Sequence, residues 1–137
     1  MIHDRIVRRR ALRLIAGLIV APAVGGAAFG QPRTFSIFFD RQSTFVTLTA
    51  LRLLETIQQR IGASSHVTIV GHCDTSESNP DRLSRARALG VQKELRELGV
   101  PASAAFTVVG RGASEPKEPT PPNTPHPINR RVEVTVQ

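Results

Sequence analysis

A strand, a polar loop and a helix follow one another over residues 66–98, and they constrain the fold more than any other part of the sequence. His66–Val70 is a largely apolar run that predicts a buried strand ending near His72. Asn79 is a good N-cap, and Pro80 suits the first position of a helix. The predicted inner face of that helix carries Leu83, Ala88, Val91, Leu95 and Leu98.

Four further segments complete the predicted order of elements. Thr34–Phe39 is rich in Phe and Ile and predicts the first strand. Apolar residues at helical spacing predict a helix over Thr47–Ile61, which Gly62 is placed to end. Ala105–Val109 and Arg131–Val136 predict two more strands, the last from its alternating pattern. Together these segments predict a compact α/β sandwich.

The loop before the final strand, residues 110–128, is dense in proline. Its prolines are Pro116, Pro119, Pro121, Pro122, Pro125 and Pro127. Proline lacks an N–H group and has a fixed φ angle, so we expect neither a helix nor a central strand there. The sequence predicts stiff, extended chain instead.

Residues 1–30 predict an export signal, which leaves residues 31–137 as a single domain. Several arginines precede Leu14–Phe29, a stretch of sixteen residues without a charge. A basic start, an apolar centre and small residues at Ala28-Phe29-Gly30 are typical of a cleaved secretory leader. Arg9-Arg10 resembles a twin-arginine signal, but we favour the general secretory (Sec) route. If the leader instead stays as an anchor, it provides the one membrane contact that we expect.

The positive charge of the chain does not indicate a nucleic-acid-binding protein. The formal net charge is +7, but five of the eighteen basic residues lie in the first thirteen positions. Residues 31–137 hold thirteen basic and ten acidic side chains, a net charge of +3. These basic residues alternate with acids along the predicted helices, so the sequence shows no stripe suited to phosphates.

The cysteine and histidine content favours neither an enzyme nor a metal site. Cys73 is a lone cysteine and cannot form an internal disulfide. His72 is adjacent to it, but neighbouring strand residues point to opposite faces and cannot easily form a base and nucleophile pair. The histidines and Cys73 lack the spacing of zinc ligands. We therefore expect no catalytic activity, no metal ion and no cofactor.

An acid and a base on neighbouring elements predict a binding site. Asp74 lies at the polar tip of the second strand, and Arg87 lies at the edge of the inner face of the second helix. A ligand that carries both an ammonium and a carboxylate group would satisfy both side chains. The alternative is that Asp74 and Arg87 pair with each other.

This part of the sequence resembles the OmpA-like domain, the peptidoglycan-binding domain of outer-membrane protein A, the Pal lipoproteins and MotB-type stator proteins. The resemblance covers about the last hundred residues. The matching motifs are Phe38-Phe39-Asp40, Gly71-His72-Cys73-Asp74, then Leu83, Ser84, Arg87, Ala88, Val91, Leu95, Gly99 and Val100, and finally Asn129-Arg130-Arg131-Val132-Glu133.

The resemblance implies an α/β (α+β) fold, a two-layer βαβαβ–β sandwich with a mixed sheet and both helices on one face. It also implies non-covalent binding of the peptidoglycan stem peptide through diaminopimelate, in the periplasm or at the outer membrane of the cell envelope. Asp74 would accept hydrogen bonds from the ammonium group of diaminopimelate, and Arg87 would donate two parallel hydrogen bonds to its carboxylate. The further contacts that it implies are Asp40, Thr75, Asn79 and either Arg130 or Arg131.

Two points stay open in this interpretation. One is whether the domain anchors only itself, or serves as a structural module that clamps a partner protein or envelope complex to the wall. The other is the loop between Asp74 and Arg87, which is shorter than in the family. Glu77 stands where the family has a glycine, and Pro80 where it usually has an asparagine.

Overall fold

A computed structural model describes residues 30–137, so the predicted export signal lies outside the described residues except for Gly30. The strands are β1 (Arg33–Phe38), β2 (His66–Gly71), β3 (Ala105–Gly110) and β4 (Arg131–Val136), and the helices are α1 (Leu48–Gln58) and α2 (Pro80–Glu97). A one-turn 3₁₀ helix, Pro127–Asn129, precedes β4. The order of strands and helices predicted from the sequence is confirmed.

The four strands form one mixed sheet in the order β1-β4-β2-β3. β4 is antiparallel to both of its neighbours, while β2 and β3 are parallel because α2 carries the chain back between them. The last residues of β1, β2 and β3 and the first residue of β4 therefore lie at one end of the sheet. We call it the Gly71 end, after the last residue of β2.

Both helices pack on the same face of the sheet, as expected. In β4, Val132, Val134 and Val136 are buried in the core, whereas Glu133 and Thr135 point to the other, helix-free face. The core side chains of the helices include Leu54, Ile57, Val91 and Leu95, all of them fully buried. Burying each such side chain contributes roughly 1.5–3 kcal/mol, so the apolar alternation of the strands fixes which face the helices cover.

Two local expectations are wrong. The proline-rich loop does form a short helix, because a 3₁₀ turn needs few bonds and Pro127 lies at its first position, where no N–H is required. Asn79 does not cap α2 with its side chain. Its backbone is left-handed, with φ of 47°, whereas a capping side chain normally projects from extended backbone.

Candidate functional site

Arg87 lies at the Gly71 end and is fully buried, with 0% of its surface exposed. Nε donates to the carbonyl oxygen of Ser43 (2.8 Å), Nη2 to that of Asp40 (3.0 Å), and Nη1 to that of His72 (3.2 Å). The remaining two N–H groups bind the carboxylate of Glu77, at 3.0 Å for Nη1 and 2.5 Å for Nη2. All five donors of the guanidinium group thus have an acceptor.

Glu77 occupies a site built to hold a carboxylate. Besides the guanidinium of Arg87, its oxygens accept bonds from the backbone N–H groups of Gln42 and Asp74, each at 3.2 Å. We call these three donor groups, those of Arg87, Gln42 and Asp74, the carboxylate receptor. The Glu77 side chain is itself buried, with 6% of the residue exposed, so the ion pair is shielded from water.

Asp74 is equally buried and has a different set of partners. Its Oδ1 accepts from the backbone N–H (2.9 Å) and the hydroxyl (2.7 Å) of Ser76. Its Oδ2 accepts from the backbone N–H of His126 (3.1 Å) and from Nη1 of Arg130 (3.0 Å). Burial raises the pKa of Asp74, but these hydrogen bonds outweigh it and hold the pKa below its usual value. Asp74 and Arg87 therefore have separate partners and do not pair with each other.

Of the two arginines offered by the sequence, Arg130 reaches Asp74 and Arg131 does not. Arg130 also donates to the carbonyl oxygen of Phe39 at 3.0 Å, which ties the start of β4 to the end of β1. Arg131 begins β4 and lies on the helix-free face, where its Nε is 2.7 Å from a carboxylate oxygen of Glu133. The two side chains diverge because Arg130 still caps the 3₁₀ helix, with φ of −87° and ψ of 75°, whereas Arg131 is the first residue of β4.

The remaining predicted residues lie around Asp74 and Arg87. Asp40 has an exposed side chain, although its carbonyl oxygen holds Arg87. Thr75 bonds to the proline-rich loop, donating to the carbonyl oxygen of Pro121 (2.8 Å) and accepting from the N–H of Thr124 (3.0 Å). Asn79 is exposed at the start of α2. The sequence reasoning missed the roles of Glu77 and Gln42, although Glu77 was already visible as a departure from the family pattern.

An open groove of about 320 Å³ is lined by Asp40 and Arg130, which bond to Arg87 and Asp74 respectively. Its lining residues are Phe38, Phe39, Asp40, Thr47, Pro127, Ile128 and Arg130. Phe38 and Ile128 are 49% and 42% exposed, so the groove offers apolar surface to a ligand. Asp40 and Arg130 place one acid and one base on the same groove. We call it the Asp40 groove.

Comparison with known proteins identifies the family. The model of the OmpA family matches residues 38–130, more than half of the chain. The chain belongs to the OmpA family. An outer membrane protein of Gluconacetobacter diazotrophicus is 36% identical over 115 residues, a match that covers 74% of this chain and 29% of that protein. The chain thus spans less than a third of this relative's length.

Solved structures have the same fold as this OmpA domain. The peptidoglycan-associated lipoprotein of Burkholderia pseudomallei is 25% identical, with a TM-score of 0.66 over 74% of this chain and 89% of that chain. The C-terminal domain of MotB from Helicobacter pylori is 20% identical, with a TM-score of 0.65 over 75% of this chain and 85% of that chain. The predicted fold class is thereby confirmed.

Cys73 and His72 of the OmpA domain do not form a base and nucleophile pair. Cys73 is buried against Arg87 (Nη1 to Sγ 3.5 Å) and the start of α2, and burial raises the pKa of its thiol to about 12. The ring of His72 faces Glu133 on the helix-free face, where its Nε2 lies 3.9 Å from a carboxylate oxygen of Glu133.

Within residues 30–137 no three His, Cys, Asp or Glu side chains cluster as metal ligands would. No helix in the same range is long and apolar enough to cross a membrane.

The buried ring of His72 should make the stability of the domain depend on pH. Burial, followed by the positive charge of Arg131, lowers its pKa below the usual 6.5, against the opposing effect of Glu133. The unfolded chain then binds a proton that the folded domain does not, so stability is lost as the pH falls from 6.5 towards the lowered pKa.

We expect the melting temperature of the wild type to fall between about pH 7 and pH 5, and the fall to be smaller in His72→Gln. The matched control is His66→Gln, which removes an exposed imidazole from the same face and should keep the wild-type slope. An unchanged slope in His72→Gln would contradict the assignment. Asp74 does not interfere between these pH values, because its lowered pKa costs stability only as the pH falls towards and below the ordinary 3.8 of an aspartate.

Proposed function

We propose that this OmpA domain binds the stem peptide of peptidoglycan non-covalently, with diaminopimelate as the recognised residue. The observation that carries the proposal is the carboxylate receptor at the Gly71 end, set beside the carboxylate of Asp74. Diaminopimelate carries an ammonium and a carboxylate on one α-carbon and repeats both at its other end. It therefore matches a site that contains Arg87 and an acid close together.

In this proposal the stem peptide lies in the Asp40 groove and extends to Arg87 and Asp74. The exposed carboxylate of Asp40 would bind an ammonium group, and Arg130 would add positive potential beside a carboxylate. Phe38 and Ile128 suit small alkyl groups of the peptide. Each charge-assisted bond contributes roughly 1.5–3 kcal/mol. Two or three such bonds give modest affinity for one stem, which a polymeric wall raises through avidity.

The relatives support a place in the cell envelope. The name of the Burkholderia lipoprotein states an association with peptidoglycan, and the MotB structures are described as periplasmic domains. We propose the periplasm for residues 31–137, with residues 1–30 as the export signal that delivers them by the Sec route. Burial raises the pKa of the Cys73 thiol to about 12, which argues against Cys73 as a nucleophile.

The proposal is tested by sedimenting the purified chain with insoluble wall material. We expect binding to diaminopimelate-type walls and weaker binding to lysine-type walls, because lysine lacks the second α-centre of diaminopimelate. Arg87→Lys keeps the positive charge beside Glu77 but cannot form bidentate hydrogen bonds to a carboxylate. The affinity for wall material should therefore fall at least about tenfold. Arg111→Lys makes the same chemical change at an exposed site outside the groove and should bind as the wild type does.

Two results would refute the proposal. One is equal sedimentation of the wild type with and without wall material. The other is undiminished binding by Arg87→Lys when its melting curve shows a folded domain.

A further inference from the structure

The carboxylate receptor is already filled by a side chain of the domain itself. Glu77 takes two of the five guanidinium donors of Arg87 and both backbone N–H groups of the receptor. The other three donors of Arg87 hold carbonyl oxygens of the surrounding chain. A ligand carboxylate therefore finds no free donor on this arginine.

We propose that Glu77 is a built-in competitor for the ligand, and that a ligand carboxylate reaches Arg87 by displacing it. This inference rests on the proposed function, because it concerns the same arginine and the same class of ligand. Glu77 and a ligand carboxylate present the same two oxygens to the same three groups, so one excludes the other. The fraction of molecules with an empty receptor then scales the apparent affinity.

The side chain of Gln42 holds the segment that carries Glu77. The side chain of Gln42 is bonded to the residue after Glu77, accepting from the N–H of Ser78 (2.5 Å) and donating to its carbonyl oxygen (3.4 Å). Gln42 itself has left-handed backbone, with φ of 54°, a conformation that is uncommon for residues other than glycine, asparagine and aspartate.

The competitor also restricts which ligands bind. A tethered carboxylate acts at a high effective concentration, so a weak, monovalent carboxylate such as acetate does not replace it. A ligand replaces Glu77 when it adds contacts from an ammonium group and contacts in the groove to those of its carboxylate. Glu77 therefore selects for ligands that fill the Asp40 groove and the receptor together.

The first experiment measures the affinity of the full chain for a soluble diaminopimelate-containing tripeptide by calorimetry. Glu77→Gln weakens the internal pair, and Glu77→Gly introduces the residue that the family has at this position. We expect both to bind the tripeptide at least about tenfold more tightly than the wild type. The matched control is Glu133→Gln, which weakens another Arg–Glu pair on the helix-free face and should bind as the wild type does.

The second experiment keeps the wild-type protein, in case the Glu77 variants fold poorly. A carbodiimide labels exposed carboxylates, and mass spectrometry reports the labelling of each one. Glu77 should be protected in the free domain and labelled once the tripeptide saturates the site. Glu97, an exposed carboxylate on α2, should be labelled equally in both states.

The possible outcomes separate the two proposals. If the wild type binds the tripeptide but the folded variants bind no tighter, or if Glu77 stays protected at saturation, the competitor role is wrong and the proposed function stands. If neither the wild type nor either variant binds, the proposed function itself is wrong. If the Glu77 variants bind the tripeptide and the wild type does not, the competitor role is supported, and the sedimentation of the wild type with wall material decides the proposed function.

Discussion

Replacing Arg87 with methionine is expected to lower the free energy of unfolding by about 3–5 kcal/mol. The change leaves the negative charge of Glu77 buried without its partner. Glu77 would keep its two backbone donors but lose the guanidinium, with the side chains of both residues fully buried. Three carbonyl oxygens that now accept from Arg87 would also lose their donor. A loss of this size is a large part of the 5–15 kcal/mol that holds a typical domain together.

Urea denaturation of Arg87→Met, of Glu77→Gln and of the double variant measures this coupling. The double variant should be more stable than the sum of the two single changes predicts, because it leaves neither the Arg87 charge nor the Glu77 charge buried without a partner. The control is Lys93→Ala, which breaks an exposed pair between Lys93 and Glu97 on the outer face of α2 and should cost less than about 1 kcal/mol. If Arg87→Met costs no more than Lys93→Ala, the buried pair does not stabilise the fold.

Gly71→Ala is the second change for which we expect a large loss. A Cβ atom at this position would lie 1.9 Å from the carbonyl oxygen of Ser84 and 2.7 Å from its carbonyl carbon. Both atoms belong to the backbone of α2, so no side-chain rotation can relieve the clash. The helix would have to move away from β2, which would pull Arg87 and Ala88 out of their packing. We expect a loss larger than the roughly 1–3 kcal/mol of ordinary overpacking.

The melting temperature of Gly71→Ala, measured by circular dichroism, tests this close approach. Gly62→Ala is the matched control, because the nearest atom to its added Cβ is the hydroxyl oxygen of Ser65 at 3.9 Å, an ordinary contact. The control should melt near the wild-type temperature. A Gly71→Ala variant with wild-type stability would mean that α2 lies farther from β2 than the structure has it.

The sequence by itself determined the elements and the faces that they bury. Apolar alternation in β4 and helical spacing in α2 are local patterns, and each one specifies which side chains can pack together. The same local logic placed Asp74 in the loop just after β2 and Arg87 on the inner side of α2. It also predicted that His72 and Cys73 would point apart, since that depends only on the period of a strand.

Only the tertiary structure decided which charges meet. Arg87 could have faced Asp74, an open groove or another acid, and spacing along the chain distinguishes none of these. Its partner became Glu77 because the loop after β2 folds back beside the residues that follow β1, whose backbone supplies both donors and acceptors. Likewise Arg130, and not Arg131, reached Asp74 because the start of β4 sets which arginine faces which side of the sheet. A buried charge takes whichever partner the packing brings within bonding distance, and that is a property of the assembled loops and not of any one segment.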